Sequence, residues 1–259
     1  MRAVVGTAAV LIAACLEYSP HVLPSEERHR DVNWKNIARL VAEPAPGRLR
    51  FAVVGDTQTA FDEAERAVEA LSRRGDIAFV VQLGDLTELG LAPEYEWMND
   101  LFRRLPVPYV VVIGNHDHLG NGEEIYERMF GPQDFAFTWG RTRFVFLDTC
   151  SIEEAYDGTV PDLATLAVNL APSPDHDRAF VFAHVEPEST DFDPRLRDGF
   201  RALLRDGGVV ASFHAHEHRY GSGVQDGVAY YLAAHVNDRE YLLVSERDDG
   251  GFDVDRVTF

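Results

Sequence analysis

Phe51-Ala52-Val53-Val54-Gly55-Asp56-Thr57-Gln58 joins a short apolar run to a glycine and then to polar side chains. Two later stretches repeat this form: Phe79-Val80-Val81-Gln82-Leu83 leads into Gly84-Asp85, and Val110-Val111-Val112-Ile113 leads into Gly114-Asn115-His116-Asp117. Short β-branched runs that end at glycine predict buried parallel strands. In open α/β sheets, ligands bind at the carboxyl ends of such strands. The polar side chains that follow these runs are therefore expected together at one rim of a sheet.

Strand and helix signals alternate from residue 48 onward. Amphipathic periodicity predicts helices over 62–74, 94–105, 123–130 and 194–205. Aromatic alternation over 135–147 around Gly140 predicts a hairpin, and later strands are expected over 179–183, 209–213, 228–233 and 241–245. Strand-helix alternation followed by an antiparallel half predicts an α/β fold, with two mixed sheets facing each other and helices outside.

Length and charge restrict the class of protein. The 259 residues are 46% hydrophobic, which suffices for the core of one domain. The formal charge is −19, from 43 acidic against 24 basic residues. Such a surface repels phosphate backbones, so general nucleic-acid binding is disfavoured. We expect a monomer that acts on a small molecule.

The beginning of the chain reads as a targeting segment. Met1-Arg2 precedes an apolar run over 3–14 that is too short to span a bilayer and is typical of a signal peptide. Ile12-Ala13-Ala14-Cys15 resembles a bacterial lipoprotein cleavage site, which implies an acylated Cys15, a location in the cell envelope and membrane contact only through lipid. An ordinary signal peptide, or an apolar N-terminus with a chance cysteine, is the alternative. The expected division is 1–14 signal peptide, 15–47 linker with one short helix, and 48–259 domain.

Two later strands lead into histidines. The run over 179–183 precedes His184, and the run over 209–213 precedes His214-Ala215-His216-Glu217-His218. Together with the carboxylates and the amide at the first three strand ends, these imidazoles form a mixed nitrogen and oxygen donor set. Such a set suits Zn, Mn, Fe or Co.

The order Gly-Asp-x-Gln, Gly-Asp-x-x-Glu, Gly-Asn-His-Asp, a lone His and His-x-His resembles the calcineurin-like metallophosphoesterase family over 48–259. The resemblance implies a four-layer α/β/β/α sandwich. It also implies two divalent or trivalent metal ions and hydrolysis of a small phosphomonoester or phosphodiester by a hydroxide that bridges them. The positions that match the family's metal ligands are Asp56, Gln58, Asp85, Asn115, His184, His216 and His218.

The resemblance also assigns roles within this set. Asp56 matches a terminal carboxylate of the first metal, and Asp85 matches the carboxylate that bridges both. Asn115 and His184 match ligands of the second metal. In the alignment we favour, His216 belongs to the second metal and His218 to the first.

An alternative alignment takes His214 and His216 as the ligand pair and leaves His218 outside. His116 matches the residue that stabilises or protonates the leaving oxygen, and Asp117 is expected to orient its ring. The other histidines, at 21, 29, 118, 176 and 235, are interpreted as structural or surface residues. Cys150 is expected to be a small buried hydrophobe.

Gln58 departs from the family pattern, which usually has His at this position. A glutamine amide oxygen is a neutral and weaker ligand, so Gln58 either binds the first metal less tightly or acts through water. This substitution supports an alternative function: an envelope-anchored binding protein that keeps the fold and has little or no catalytic activity.

Overall fold

Helices and strands alternate along residues 19–259, the part of the chain that the computed structural model describes. The predicted signal peptide and its Cys15 lie outside these described residues. The helices are α1 (Val32–Val41), α2 (Phe61–Ser72), α3 (Ala92–Phe102), α4 (Gly122–Phe130), α5 (Leu163–Asn169) and α6 (Arg197–Asp206). The strands are β1 (Arg50–Val54), β2 (Val80–Gln82), β3 (Tyr109–Val111), β4 (Phe135–Trp139), β5 (Thr142–Leu147), β6 (Arg178–Ala183), β7 (Val209–His214), β8 (Gly221–Gln225), β9 (Val228–Leu232), β10 (Glu240–Glu246) and β11 (Phe252–Thr258).

The strands form two mixed sheets. The first has the order β11-β10-β1-β2-β3, and the second has the order β4-β5-β6-β7-β9-β8. Strands β1, β2 and β3 run parallel, with β10 antiparallel to β1. In the second sheet β5, β6, β7 and β9 run parallel, while β4 and β8 pair antiparallel at its two edges. Both sheets therefore present the carboxyl ends of several parallel strands.

Alternating side chains divide the core into three layers. Phe51 and Val53 of β1 pack between the two sheets, and the ring centroids of Phe51 and Phe180 are 5.5 Å apart. Ala52 and Val54 face the other way, onto helices α2, α3 and α4. The outer face of the second sheet packs on α5 and α6. Side chains in a strand point alternately to the two faces of the sheet, so each strand buries one set of side chains between the sheets and the other set under the helices. The predicted four-layer α/β/β/α sandwich is confirmed.

Helix α1 closes an edge of the first sheet. The side-chain amide of Asn33 donates to the carbonyl oxygen of Val111 at 2.9 Å, and the Val111 N–H donates to Asn33 Oδ1 at 2.9 Å. Ile37 and Leu40 are buried against the core between the sheets. Edge strands expose unpaired backbone groups, so these two hydrogen bonds satisfy β3 where no further strand follows. The short helix predicted within the linker is thus packed on the domain, and the boundary near residue 48 stays a prediction.

Within residues 19–259, no helix combines the length and the apolar character needed to cross a membrane.

Candidate metal centre

The ends of β1, β2 and β3 converge because glycines let their backbones approach closely. A Cβ at Gly114 would lie 2.2 Å from the backbone nitrogen of Asp85. A Cβ at Gly84, which has a φ of +93°, would lie 2.8 Å from Nδ1 of His184. Any other residue at these positions would push the polar strand ends apart. The glycines before Asp85 and Asn115 are therefore a requirement of the site's geometry.

Three buried side chains form the centre of the site. Ligand atoms of Asp56, Asp85 and His184 all lie within 4.8 Å of one another. Nδ1 of His184 donates to the carbonyl oxygen of Leu83 at 2.7 Å, which leaves Nε2 facing Asp85 Oδ2 at 3.3 Å. Oδ2 of Asp56 is buried without a hydrogen-bond partner. Buried carboxylate oxygens normally have partners, so this oxygen and its neighbours fit a bound cation.

The electrostatics of these three groups favour positive charge. Burial raises the pKa of Asp56 to about 7. Burial also acts to raise the pKa of Asp85, but the His184 ring outweighs it and holds this pKa below its ordinary value. Burial acts to lower the pKa of His184, yet the charge of Asp85 and a hydrogen bond to it raise this pKa to about 10. A cation bound between the two carboxylates would offset the cost of burying their charges.

Asn115 and His216 lie on the side of His184. Oδ1 of Asn115 is 3.0 Å from Nε2 of His184 and 3.0 Å from Nδ1 of His216. The backbone N–H of His216 donates to Asp56 Oδ1 at 3.2 Å. Nε2 of His216 lies 2.9 Å from Oδ2 of Asp191. Asp191 fixes the ring orientation from a loop contact, and no local sequence signal identified it.

Gln58 and His218 lie on the other side, next to Asp85. The side-chain nitrogen of Gln58 donates to Asp85 Oδ2 at 3.1 Å and lies 3.1 Å from Nε2 of His218. Oε1 of Gln58 is buried without a hydrogen-bond partner. His235 packs behind them, with its ring centroid 4.8 Å from that of His218 and its Nε2 3.1 Å from the Gln58 carbonyl oxygen. The sequence predicts His235 as a structural or surface histidine that follows a strand toward the rim, and its ring lies beside His218 at that rim.

His214 is separated from this group by the direction of its side chain. Its Nε2 lies 2.8 Å from Oγ of Ser212, and its Nδ1 lies 3.2 Å from the carbonyl oxygen of Val185. Burial lowers the pKa of His214 to about 3. Both ring nitrogens are thus engaged outside the cluster, while His216 and His218 turn into it. This arrangement agrees with the favoured alignment of the histidine motif.

Strained backbone accompanies the cluster. Asp85, His216 and His218 have φ values of 54°, 69° and 50°. Residues with a Cβ seldom adopt this left-handed region, at a cost on the order of 1–3 kcal/mol each. Such strain persists only where surrounding contacts hold it, and it concentrates at functional sites.

His116 lies at the mouth of the cluster. Its backbone N–H donates to Asp85 Oδ1 at 2.9 Å, and its ring Nδ1 lies 2.9 Å from the carbonyl oxygen of Glu88. Burial acts to lower the pKa of His116, but the Glu88 carbonyl and Asp85 together raise it above its ordinary value. About a third of the side chain, 31%, is exposed. The His116 ring is therefore oriented by the Glu88 backbone carbonyl, a contact that sequence composition and motif spacing could not predict.

The prediction that Asp117 orients the ring of His116 is wrong. The buried carboxylate of Asp117 accepts hydrogen bonds from the backbone N–H groups of Leu86, Thr87 and Gly114 and from the Thr87 hydroxyl. Residues 116–118 form a single 3-10 turn, which sends neighbouring side chains in different directions. Asp117 therefore joins the segments that follow β2 and β3 instead of contacting the neighbouring imidazole.

Known proteins share both the sequence pattern and the fold. The calcineurin-like phosphoesterase family pattern matches residues 49–220. A probable cyclic nucleotide phosphodiesterase of Rhodopseudomonas palustris is 29% identical over 218 residues, covering 71% of this chain and 77% of that protein.

Solved structures of low sequence identity show the same fold. The purple acid phosphatase PPD1 of yellow lupin, Lupinus luteus, superposes with a TM-score of 0.66 at 14% identity, covering 83% of this chain and 52% of that one. GAP50, the anchor in the inner membrane complex of Plasmodium, superposes with a TM-score of 0.59 at 15% identity, covering 82% and 84%. With the family pattern spanning more than half of its length, the chain belongs to the calcineurin-like phosphoesterase family.

Proposed function

We propose that this protein is a dinuclear metal-dependent phosphoesterase that hydrolyses a small phosphomonoester or phosphodiester. The observation that carries the proposal is the convergence of Asp56, Asp85 and His184, with a buried Asp56 oxygen that lacks a partner. Membership of a phosphoesterase family supports the reaction class.

The donor set divides into two groups that share Asp85. Asp56, Gln58 and His218 would hold the first ion, and Asn115, His184 and His216 would hold the second. Imidazole nitrogen with carboxylate and amide oxygen suits Mn, Zn, Fe or Co. Two such ions would lower the pKa of a water molecule and neutralise charge on the phosphoryl oxygens.

His116 is suited to protonate the leaving oxygen. Its Nδ1 faces a carbonyl oxygen, which only accepts, so Nδ1 carries a hydrogen. In the imidazolium, Nε2 carries a hydrogen as well. Because the side chain is partly exposed at the mouth of the cluster, this proton could pass to a substrate bound there. We propose His116 as the general acid.

A cavity of about 340 Å³ adjoins this mouth, and its lining supports the proposal that the substrate is an ester with an apolar or aromatic group. It is lined by Thr59 next to Gln58, by Glu88 next to His116, and by the exposed rings of Phe61 and Trp97, which are 44% and 61% accessible. The relative named as a probable cyclic nucleotide phosphodiesterase makes cyclic nucleotides the first diesters to test. The charge of −19 supports a small substrate over a nucleic acid.

Hydrolysis and metal content together test the proposal. The full chain loaded with Mn²⁺ or Zn²⁺ is assayed with nitrophenyl phosphate, bis(nitrophenyl) phosphate and cyclic AMP. We expect at least two ions per chain and hydrolysis that a chelator abolishes. A folded chain that binds one ion or none, and hydrolyses none of these esters with any divalent metal, would instead indicate a binding protein that keeps the fold.

We further propose that a lipid on Cys15 anchors the protein in the cell envelope. Expression of the full chain and of Cys15→Ser in a bacterial host, followed by fractionation, tests this. The wild type should sediment with membranes and the variant should not. Equal sedimentation of both would contradict the lipid anchor. A separate measurement, light scattering of the purified chain, tests the expected monomer.

A further inference from the structure

A second group of metal-ligating side chains lies between the segments that follow β3 and β5. His118 ends the 3-10 turn after Asn115, and Asp148 and Cys150 follow β5. A ring nitrogen of His118, a carboxylate oxygen of Asp148 and the sulfur of Cys150 all lie within 4.8 Å of one another. Neither the family motif nor the proposed reaction uses these three residues.

Several of the polar atoms here are buried and lack partners. Nε2 of His118 and Oδ2 of Asp148 face each other as an ion pair at 3.4 Å with side chains only 5% and 4% exposed, and neither atom makes a second, well-aligned hydrogen bond. Oε2 of Glu153, in the same loop, is also buried without a partner. The sulfur of Cys150 lies 4.0 Å from the Ile113 carbonyl oxygen, and burial together with the charges of Asp148 and Glu153 holds the pKa of this thiol well above its ordinary value. Buried polar groups in native proteins are rarely left in this state, so their clustering points to a missing ligand.

The charges around the group favour a cation. Glu123 and Glu154 place carboxylate oxygens within 4.8 Å of a ring nitrogen of His118. Burial raises the pKa of Glu153 to about 7, with the charge of Asp148 acting in the same direction. Burial acts to lower the pKa of His118, but a hydrogen bond to Asp148 and the charge of that carboxylate raise this pKa above its ordinary value. A divalent cation would satisfy the carboxylates and leave the imidazole neutral.

We propose that His118, Asp148 and Cys150 bind a zinc-type divalent cation at a site separate from the dinuclear centre. Imidazole nitrogen, carboxylate oxygen and thiolate sulfur are the ligands that Zn²⁺ takes in proteins. Glu153 belongs to the same loop, where its backbone N–H donates to the Cys150 carbonyl oxygen at 3.2 Å, and a water molecule or its carboxylate would complete the coordination. On binding, the Cys150 thiol releases its proton to the solvent and the sulfur coordinates as thiolate.

Such a cation would stabilise the rim of the dinuclear site. It would join the turn that carries Asn115 and His116 to the loop after β5. That loop already holds the residue after His184, because the Val185 N–H donates to Oγ1 of Thr149 at 2.9 Å. The ion would therefore fix the relative positions of ligands that come from both sheets.

Cobalt titration tests the site through its sulfur ligand. The full chain carrying Cys15→Ser has Cys150 as its one thiol, because the sequence contains two cysteines. Thiolate bound to Co²⁺ gives a charge-transfer absorption in the near ultraviolet, which the nitrogen and oxygen donors of the dinuclear centre do not give. At saturating Co²⁺ we expect the intensity of this absorption to correspond to one thiolate-bound ion per chain, and we expect the absorption to disappear when Zn²⁺ is added.

Variants locate the ion. The absorption should be absent from Cys150→Ser and retained in Asp56→Asn. In His118→Gln the apparent affinity for Co²⁺, measured from this absorption, should fall at least tenfold. The matched control His176→Gln should behave as the parent chain. Loss of the absorption in Asp56→Asn would assign the thiol to the dinuclear centre and overturn a separate site. No absorption at saturating Co²⁺ in the folded parent chain would also overturn the proposal, and would leave His118 and Asp148 as a buried ion pair.

Discussion

The side-chain nitrogen of Gln58 lies 3.1 Å from Nε2 of His218, at the position where the resemblance leads one to expect a second imidazole. The same nitrogen donates to Asp85 Oδ2, so Gln58 connects two candidate ligands of the first metal. Its own Oε1 is buried without a partner and is the atom that could bind the ion.

Replacing Gln58 by His should strengthen binding of the first metal, because imidazole is a better ligand than a neutral amide oxygen. We expect the dissociation constant for that ion to fall by roughly tenfold, measured by competition with a chromophoric chelator. Gln225→His, on exposed β8, controls for an added histidine. An unchanged constant in Gln58→His would mean that Gln58 only positions its neighbours.

His218 and His214 should respond differently to truncation. His218→Ala should lower the bound metal by about one ion per chain, as its ring faces Gln58 and Asp85. His214→Ala should keep both ions and lower the free energy of unfolding by about 1–3 kcal/mol, because it leaves a cavity and removes the partner of Ser212. Metal analysis and urea unfolding distinguish the two. Greater metal loss in His214→Ala would support the alternative pair His214 and His216.

His116→Asn should retain both metals and lose most turnover. A general acid contributes roughly 10²–10⁴-fold, so kcat should fall within that range. The loss should be smaller for a nitrophenyl ester than for an alkyl ester, since nitrophenolate needs less protonation on leaving. Asp117→Asn is the contrasting variant, because an amide cannot accept all four hydrogen bonds of the carboxylate. Its main effect should be a lower free energy of unfolding. Unchanged turnover of the alkyl ester in His116→Asn would contradict the assignment.

The sequence predicts best the parts of the fold that are buried on both faces. Strands β1, β2 and β3 end at glycine and a polar side chain, so both their burial and their common edge could be predicted. Strand β8 escaped prediction because Gly221 and Gly223 give it no strand pattern, and its conformation comes from pairing with β9. Helix α5 has only seven residues, too few for a clear period.

The residues of the candidate site likewise divide into those that the sequence could predict and those that it could not. Residues that directly follow a strand were placed at the rim, because the sheet determines where a strand ends. Asp191 and the Glu88 carbonyl were missed, because each meets its histidine through a loop contact between distant positions. The direction of Asp117 was wrong for a related reason: a one-turn helix separates adjacent side chains, and adjacency in sequence does not imply contact.

Trp97 tests the substrate cavity. Its side chain is 61% exposed, so Trp97→Ala should change stability little. Losing the aromatic surface should raise KM for esters with aromatic or nucleobase groups several-fold and leave KM for small alkyl phosphates unchanged. Val168→Ala, at a 77% exposed position on α5, is the matched control. Equal KM values for aromatic esters in Trp97→Ala and the wild type would exclude this cavity as the binding surface.

Asp134 should make stability depend on pH. Burial raises its pKa to about 7 in the folded chain, from an ordinary value of 3.8, and its Oδ1 accepts the Asp148 N–H. A carboxyl whose pKa is raised by folding stabilises the fold fully at low pH. That contribution is lost as pH rises from about 4 through about 7, because only the unfolded chain ionises freely there. In Asp134→Asn the amide stays neutral, so this loss should disappear.

The stability of Asp134→Asn relative to the wild type should therefore increase between about pH 4 and pH 8, by at most about 4 kcal/mol, and then stay constant. Urea unfolding in the presence of a chelator measures the difference at each pH, because other titrating groups cancel between the two chains. Asp175→Asn, on an exposed loop, controls for the removal of a charge. A difference that does not vary across this range would show that the Asp134 carboxyl ionises in the folded chain as readily as in the unfolded one.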